Sequence, residues 1–132
     1  MPADAKPIHP EEVLDPRRAL VPSVQKVNER RVARGFWPKM RRVASRVPFA
    51  DRALSVWYAA RDPETPTAAK GIMLAALAYF VLPVDAIPDI FAGIGFTDDA
   101  AVFAALLATL GGNVRKRHHE LAREALKRLG GR

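Results

Sequence analysis

Residues 68–82, AAKGIMLAALAYFVL, are the stretch that decides the fold. Alanine, leucine and methionine are strong helix formers, and apolar residues occupy nearly every side of the helix that they predict. Such a helix must be covered on all its faces, either by other helices or by lipid. A second apolar run, AAVFAALLATL, follows at residues 100–110. Together the two runs predict a helical hairpin over residues 68–110.

Amphipathic helices are predicted upstream of this hairpin. Apolar spacing indicates a weak amphipathic helix over residues 19–34 that ends at Gly35. A second helix is expected from Trp37 to Val47, with Lys39 and its neighbouring arginines pointing away from the apolar stripe. A third helix is expected over residues 49–61. The DPETPT turn at 62–67 follows, where Thr65 is expected to cap the next helix.

A basic amphipathic helix is predicted downstream, over residues 114–129, with Gly130 as its C-terminal cap. No convincing strand-like alternation occurs anywhere in the sequence. The sequence therefore predicts an all-α protein, a small bundle of about five to six helices around the hairpin. We divide the chain into a flexible tail at 1–18, a basic helical extension at 19–61, the hairpin with its connecting loop at 62–112, and a basic C-terminal helix at 113–132.

Composition limits the function. The chain has 132 residues, enough for one domain with a single core, and 49% of them are hydrophobic and 27% charged. It contains no cysteine, which excludes disulfides, thiolate catalysis and cysteine-ligated zinc. The first residues have no apolar h-region, so we expect no cleaved secretory signal and place both termini on the cytoplasmic side.

Positive charge lies on both sides of the apolar block. Of the 21 lysines and arginines, 14 lie in residues 1–70 and the remaining 7 in residues 115–132. This pattern fits an ordinary solvated surface, contact with anionic lipid, or contact with nucleic acid. The candidate contact residues for lipid or nucleic acid are Arg30, Arg31, Arg34, Arg41, Arg42, Arg115, Lys116 and Arg117.

Four aspartates occur in the hairpin loop, which reads LPVDAIPDIFAGIGFTDD at residues 82–99. Pro83 and Pro88 predict a rigid irregular turn, because the residue before a proline avoids the α region. Each aspartate is explained by capping or by the dipole of a helix end. The alternative is that Asp85, Asp89 and Asp98 converge and bind a divalent cation, for which oxygen ligands favour Mg²⁺ or Mn²⁺.

The segment ALAYFVLPVDAIPDIFAGIGFTDDAAVF, residues 76–103, resembles the signature of the YkvA-like family. The matching positions are Tyr79, Pro83, Asp85, Ile87, Pro88, Asp89, Gly95, Asp98 and Asp99. The resemblance covers roughly residues 66–110 and does not extend to the arginine-rich residues 1–60. It implies a small bacterial helical domain, often membrane-associated, with no established reaction.

Three functions follow as hypotheses. The first is a membrane-associated module at the bacterial inner membrane or its cytoplasmic face, with residues 71–110 as a re-entrant or interfacial hairpin. In its soluble alternative the same hairpin is the core of a cytoplasmic bundle. The second is a nucleic-acid-binding module that uses the basic flanks.

The third hypothesis is a metal-dependent activity at the aspartates, for which oxygen ligands would suit Mg²⁺ or Mn²⁺. Outside this hypothesis we expect no cofactor. The sequence has no recognisable catalytic constellation, which leaves enzyme activity open. His118 lies in the apolar stripe of its helix, and we expect it to be a packed histidine.

Overall fold

The computed structural model describes residues 10–45, 47, 49–81 and 97–130. Within these ranges the chain is helical and contains no strand, which confirms the predicted all-α class. The helices are α1 (Pro10–Val13), α2 (Pro16–Ala19), α3 (Pro22–Val43), α4 (Ala50–Arg61), α5 (Thr67–Val81), α6 (Thr97–Leu110) and α7 (Lys116–Arg128). A 3₁₀ turn over Gly111–Asn113 joins α6 to the segment before α7.

Helix α5 is the centre of the bundle. Every residue from Met73 to Phe80 is buried. It packs mainly against α3 and α4, and it also contacts α6 and the two short N-terminal helices. The helix predicted to be apolar on all sides is therefore covered by protein. Among the described residues, no helix is both long enough and apolar enough to cross a membrane.

Two glycines allow α3 and α5 to pack closely. A Cβ atom on Gly35 would lie 2.3 Å from Val81 Cγ1, and one on Gly71 would lie 2.5 Å from Leu20 Cδ2 and 3.3 Å from the side chain of Gln25. Gln25 is near the start of α3 and Gly71 near the start of α5, whereas Gly35 and Val81 pair further along both helices. The two helices therefore run in the same direction.

Helix α3 differs from the prediction, because it continues through both Gly35 and Pro38 as one helix of 22 residues. The helix break expected at Gly35 was wrong. Gly35 is present because α5 approaches it closely, and packing outweighs the weak intrinsic helix propensity of glycine. Pro38 lies on the exposed face, where water can solvate the carbonyl group that loses its helical partner.

Aromatic rings connect four of the helices. Phe36 of α3 stacks on Trp57 of α4, with 5.7 Å between ring centroids, and lies 5.9 Å from Phe80 of α5. Phe80 lies 6.2 Å from Phe103 of α6, and Phe49, just before α4, lies 5.5 Å from Phe103. Such ring pairs add directional preference to the burial of apolar area.

Two further differences from the prediction lie upstream of α5. Residues 10–13 and 16–19, within the predicted tail or at its edge, form α1 and α2. The hydroxyl of Thr65 donates to the carbonyl of Ala59 at 2.6 Å, so this side chain bonds the end of α4 and not the start of α5 as expected. At the other end of the chain, Gly130 adopts φ +82°, as expected for a C-terminal cap.

The close approach of α5 to Gly35 leads to a testable prediction. Gly35→Ala should lower the free energy of unfolding by about 1 kcal/mol, because an overpacking penalty of roughly 1–3 kcal/mol outweighs a gain of about 1 kcal/mol in helix propensity. Urea denaturation would measure this change in the free energy of unfolding. The same substitution in a Val81→Ala background should be stabilising, since the conflicting Cγ1 atom is gone. Gly112→Ala, with no atom within 4 Å of its Cβ, is the control. Destabilisation of equal size in both backgrounds would contradict the packing explanation.

Candidate functional site

The predicted signature falls mostly outside the described residues. Tyr79 is buried in α5 with 4% of its surface exposed. Pro83, Asp85, Pro88, Asp89 and Gly95 lie outside the described ranges. Asp98 and Asp99 belong to the first turn of α6, but their side chains are also outside the description. The expected role of these residues as caps or as a shared site therefore stays a prediction.

The metal hypothesis stays a prediction for the same reason. Within the part of the chain that the structure describes, no three His, Cys, Asp or Glu side chains are grouped so that they could hold a metal ion. The side chains of the candidates Asp85, Asp89 and Asp98 lie outside that part.

A buried lysine lies where α5 ends, directly before the signature loop. Lys39 of α3 is 4% exposed, its Nζ donates to the carbonyl of Phe80, and the same atom lies 4.8 Å from the centroid of the Phe80 ring. Carbonyl groups in the last turn of a helix lack an intrahelical partner, and the helix dipole favours a cation there. The prediction that Lys39 points away from the core was wrong, because this end of α5 provides a polar partner inside the bundle.

The continuous α3 places five candidate arginines on one helix. Arg30, Arg31, Arg34, Arg41 and Arg42 are all exposed, and they lie on the side away from the buried Val32, Phe36, Met40 and Val43. Within the described ranges, Arg31, Arg34 and Arg41 form no ion pair. Val24 and Val27 are exposed on the same side, at 38% and 46%. At about 1.5 Å per residue this face is about 33 Å long.

The candidate cations near α7 are arranged differently. Arg117 donates from Nε and Nη2 to Asp62 Oδ2 at 2.9 and 2.6 Å, and also contacts Glu64 at 3.0 Å. Arg115 pairs with Glu64 at 3.1 Å, and Lys116 is exposed. Two of these three predicted contact residues therefore bind the turn between α4 and α5.

Asp62 is the centre of that cluster. Its carboxylate also accepts from the Glu64 backbone N–H at 2.8 Å and from His118 Nε2 at 2.8 Å. These bonds, led by the Glu64 N–H and followed by His118 and Arg117, hold the pKa of Asp62 well below its usual range. Its bonds between the turn and α7 join residues 51 to 56 positions apart in sequence, so no local pattern predicts the cluster. We refer to Asp62, Glu64, Arg115, Arg117 and His118 as the turn cluster.

The two adjacent histidines have different tautomers. His118 Nδ1 accepts from the Arg115 backbone N–H at 2.9 Å, so its Nε2 carries the proton given to Asp62. His118 is 2% exposed, which confirms that it is a packed histidine. The Ser55 hydroxyl donates to the Asp51 carbonyl at 2.8 Å and therefore accepts from His119 Nδ1 at 3.0 Å.

Comparison with known proteins identifies the central segment. Residues 69–105 match the family model described as "Protein of unknown function (DUF1232)". Over 35 residues the chain is 49% identical to the "Uncharacterized membrane protein YkvA" of Bacillus subtilis (strain 168). That match covers 26% of this chain and 33% of the relative, so the chain spans a third of the relative's length. No solved structure matches the chain. The predicted resemblance to the YkvA-like family is confirmed over this segment.

The buried Lys39 makes a second prediction. Lys39→Met should lower the free energy of unfolding by roughly 1–3 kcal/mol, because the Phe80 carbonyl loses its charged donor inside the bundle while the side-chain volume is nearly kept. Arg41→Met, an exposed change on the same helix, should alter it by about 0.5 kcal/mol or less. Chemical denaturation of both variants tests this. Equal stability of the Lys39 variant and the wild type would show that the lysine is not needed at the end of α5.

The turn cluster leads us to predict how the stability of the protein depends on pH. The folded pKa of Asp62 is lowered, so its contribution to stability is present above the unfolded value of about 3.9 and is lost as pH falls towards the folded pKa. Asp62→Asn should therefore lower the melting temperature clearly at pH 7, and its difference from wild type should shrink below about pH 4. Glu64→Gln, whose side chain is 65% exposed, should have a smaller effect. A deficit of the Asp62 variant that is constant with pH would contradict this account.

Proposed function

We propose that this chain, whose central segment resembles the YkvA-like family, is a peripheral membrane module that lies on anionic lipid through the outer face of α3. The observation that carries this proposal is the single continuous helix, which places Arg30, Arg31, Arg34, Arg41 and Arg42 on one exposed face. The apolar stripe of α3 packs inside the bundle, so its basic side chains face outward, where they could contact the phosphates of an anionic lipid surface.

The hairpin leg α5 supports peripheral contact over insertion. Its side chains are buried against α3 and α4, and lipid could reach them only if the bundle opened. The proposal therefore assigns the hairpin to the core of the module and the membrane contact to α3. The name of the Bacillus relative supports a membrane location, although that match concerns only the central segment.

Exposed valines favour lipid over nucleic acid as the partner of this face. Val24 and Val27 lie beside the arginines with 38% and 46% of their surface exposed. Apolar side chains gain free energy when they enter the interfacial region of a bilayer, whereas a phosphate backbone offers them nothing. Nucleic-acid readers of single strands use aromatic surfaces, but Trp37 packs edge-on to both Phe36 and Trp57.

Vesicle binding tests the proposal. The protein should bind vesicles of phosphatidylcholine with phosphatidylglycerol and not vesicles of phosphatidylcholine alone, and the binding should weaken with salt. The triple variant Arg31→Gln, Arg34→Gln, Arg41→Gln should bind about a hundredfold more weakly, at about 1 kcal/mol per basic residue. Co-sedimentation with vesicles gives the partition coefficients.

A matched control uses α7, where Arg123, Lys127 and Arg128 are exposed. Their triple replacement by Gln removes the same charge and should leave vesicle binding unchanged. Val24→Ser with Val27→Ser should weaken binding while the slope against salt stays the same. Equal loss from the α3 and α7 triple variants would mean that net charge alone drives binding. Binding to duplex DNA or single-stranded RNA without binding to vesicles would overturn the proposal in favour of nucleic acid.

A further inference from the structure

A second cationic feature lies beside the outer face of α3. Residues of α3, α4 and α5 enclose a groove of ≈ 440 Å³. Its floor is apolar and is formed by the half-buried Trp57 with the buried Leu74 and Leu77. Grooves of a few hundred Å³ with an apolar floor and few polar groups are typical of small-ligand sites.

Three cations from three helices converge on this groove: Arg30 of α3, Arg61 of α4 and Lys70 of α5. None of the three forms an ion pair within the described ranges, and Glu29 is the one acidic residue on the lining. The guanidinium carbon of Arg61 lies 4.9 Å from the centroid of the Trp57 ring. Stacking of this kind holds the flat guanidinium in place while its N–H groups remain able to bind an anion.

We propose that this groove binds the headgroup of one anionic phospholipid. The phosphate would bind between Arg30, Arg61 and Lys70, and the first methylene groups of an acyl chain would pack on Trp57, Leu74 and Leu77. The cations at the rim would bind the phosphate, and the apolar aromatic floor would pack against the acyl chain. An amphipathic anion therefore uses both parts of the groove. Arg30 also belongs to the outer face of α3, which makes the groove continuous with the proposed membrane contact. The inference thus deepens the proposed function and rests on it.

The experiment uses short-chain lipids below their micelle concentration, so that binding needs no bilayer. Isothermal titration calorimetry with dihexanoyl-phosphatidylglycerol should give saturable one-to-one binding. Glycerol phosphate, which lacks the chains, and dihexanoyl-phosphatidylcholine, which has no net charge, should each bind about tenfold more weakly or not at all. Tryptophan fluorescence would report the same titration through Trp57.

Variants assign the binding to the groove. Lys70→Gln and Arg61→Gln should each weaken it about tenfold or more, since each removes a charged hydrogen-bond donor. Ala33→Phe keeps every charge but fills the groove from its exposed edge on α3, and should abolish binding. The control is Arg34→Gln with Arg41→Gln, outside the groove, which should leave short-chain lipid binding unchanged.

The outcomes separate this inference from the proposed function. Equal binding of glycerol phosphate and the short-chain lipid would overturn the lipid assignment in favour of a free phosphate. Equal loss in the groove variants and in the Arg34 and Arg41 variant would place binding on the outer face and overturn the groove. Saturable short-chain binding that needs Lys70, in a protein that fails to bind anionic vesicles, would support the groove while refuting surface association.

Discussion

The burial of α5 is the constraint on which the rest of the structure depends. A helix that is apolar on every side is stable in water only when other elements surround it, and α3, α4, α6 and the two short N-terminal helices do so. Close cover requires glycine at positions 35 and 71, although both lie inside helices, where glycine has a weak helix propensity. The free carbonyl groups at the end of α5 require a donor from a neighbouring helix, and Lys39 supplies one.

Local pattern was sufficient to predict the helical class, the apolar hairpin legs, the packed His118 and the glycine cap at residue 130. It failed where a contact distant in sequence outweighed a local preference. Gly35 looks like a helix end until α5 is placed against it, and Lys39 looks like a surface residue until the end of α5 provides a buried acceptor. The turn cluster depends on Asp62 meeting His118, a pairing with no local signature. For the aspartate loop, the roles of the aspartates as caps or as a shared metal site are still predicted from the sequence pattern alone.

The two basic regions that look alike in the sequence have different roles in the fold. Near α7, Arg115 and Arg117 neutralise carboxylates of the turn between α4 and α5 and so connect the outer helix to the core. On α3, by contrast, Arg31, Arg34 and Arg41 are exposed and form no ion pair within the described ranges. Charge that is already paired inside a protein contributes little to an external partner, which is why the proposed contact is placed on α3.

The position of Lys39 also has a consequence for chemical labelling. Amine-reactive reagents modify only lysines that water can reach, and Lys26, Lys116 and Lys127 are exposed while Lys70 is half-buried. Lys39 is enclosed, so its acylation requires separation of α3 from the end of α5. The time course of modification at this residue, followed by peptide mass, would therefore measure how often the centre of the bundle opens. The rate of Lys39 modification would thus report how often the end of α5 becomes exposed to water.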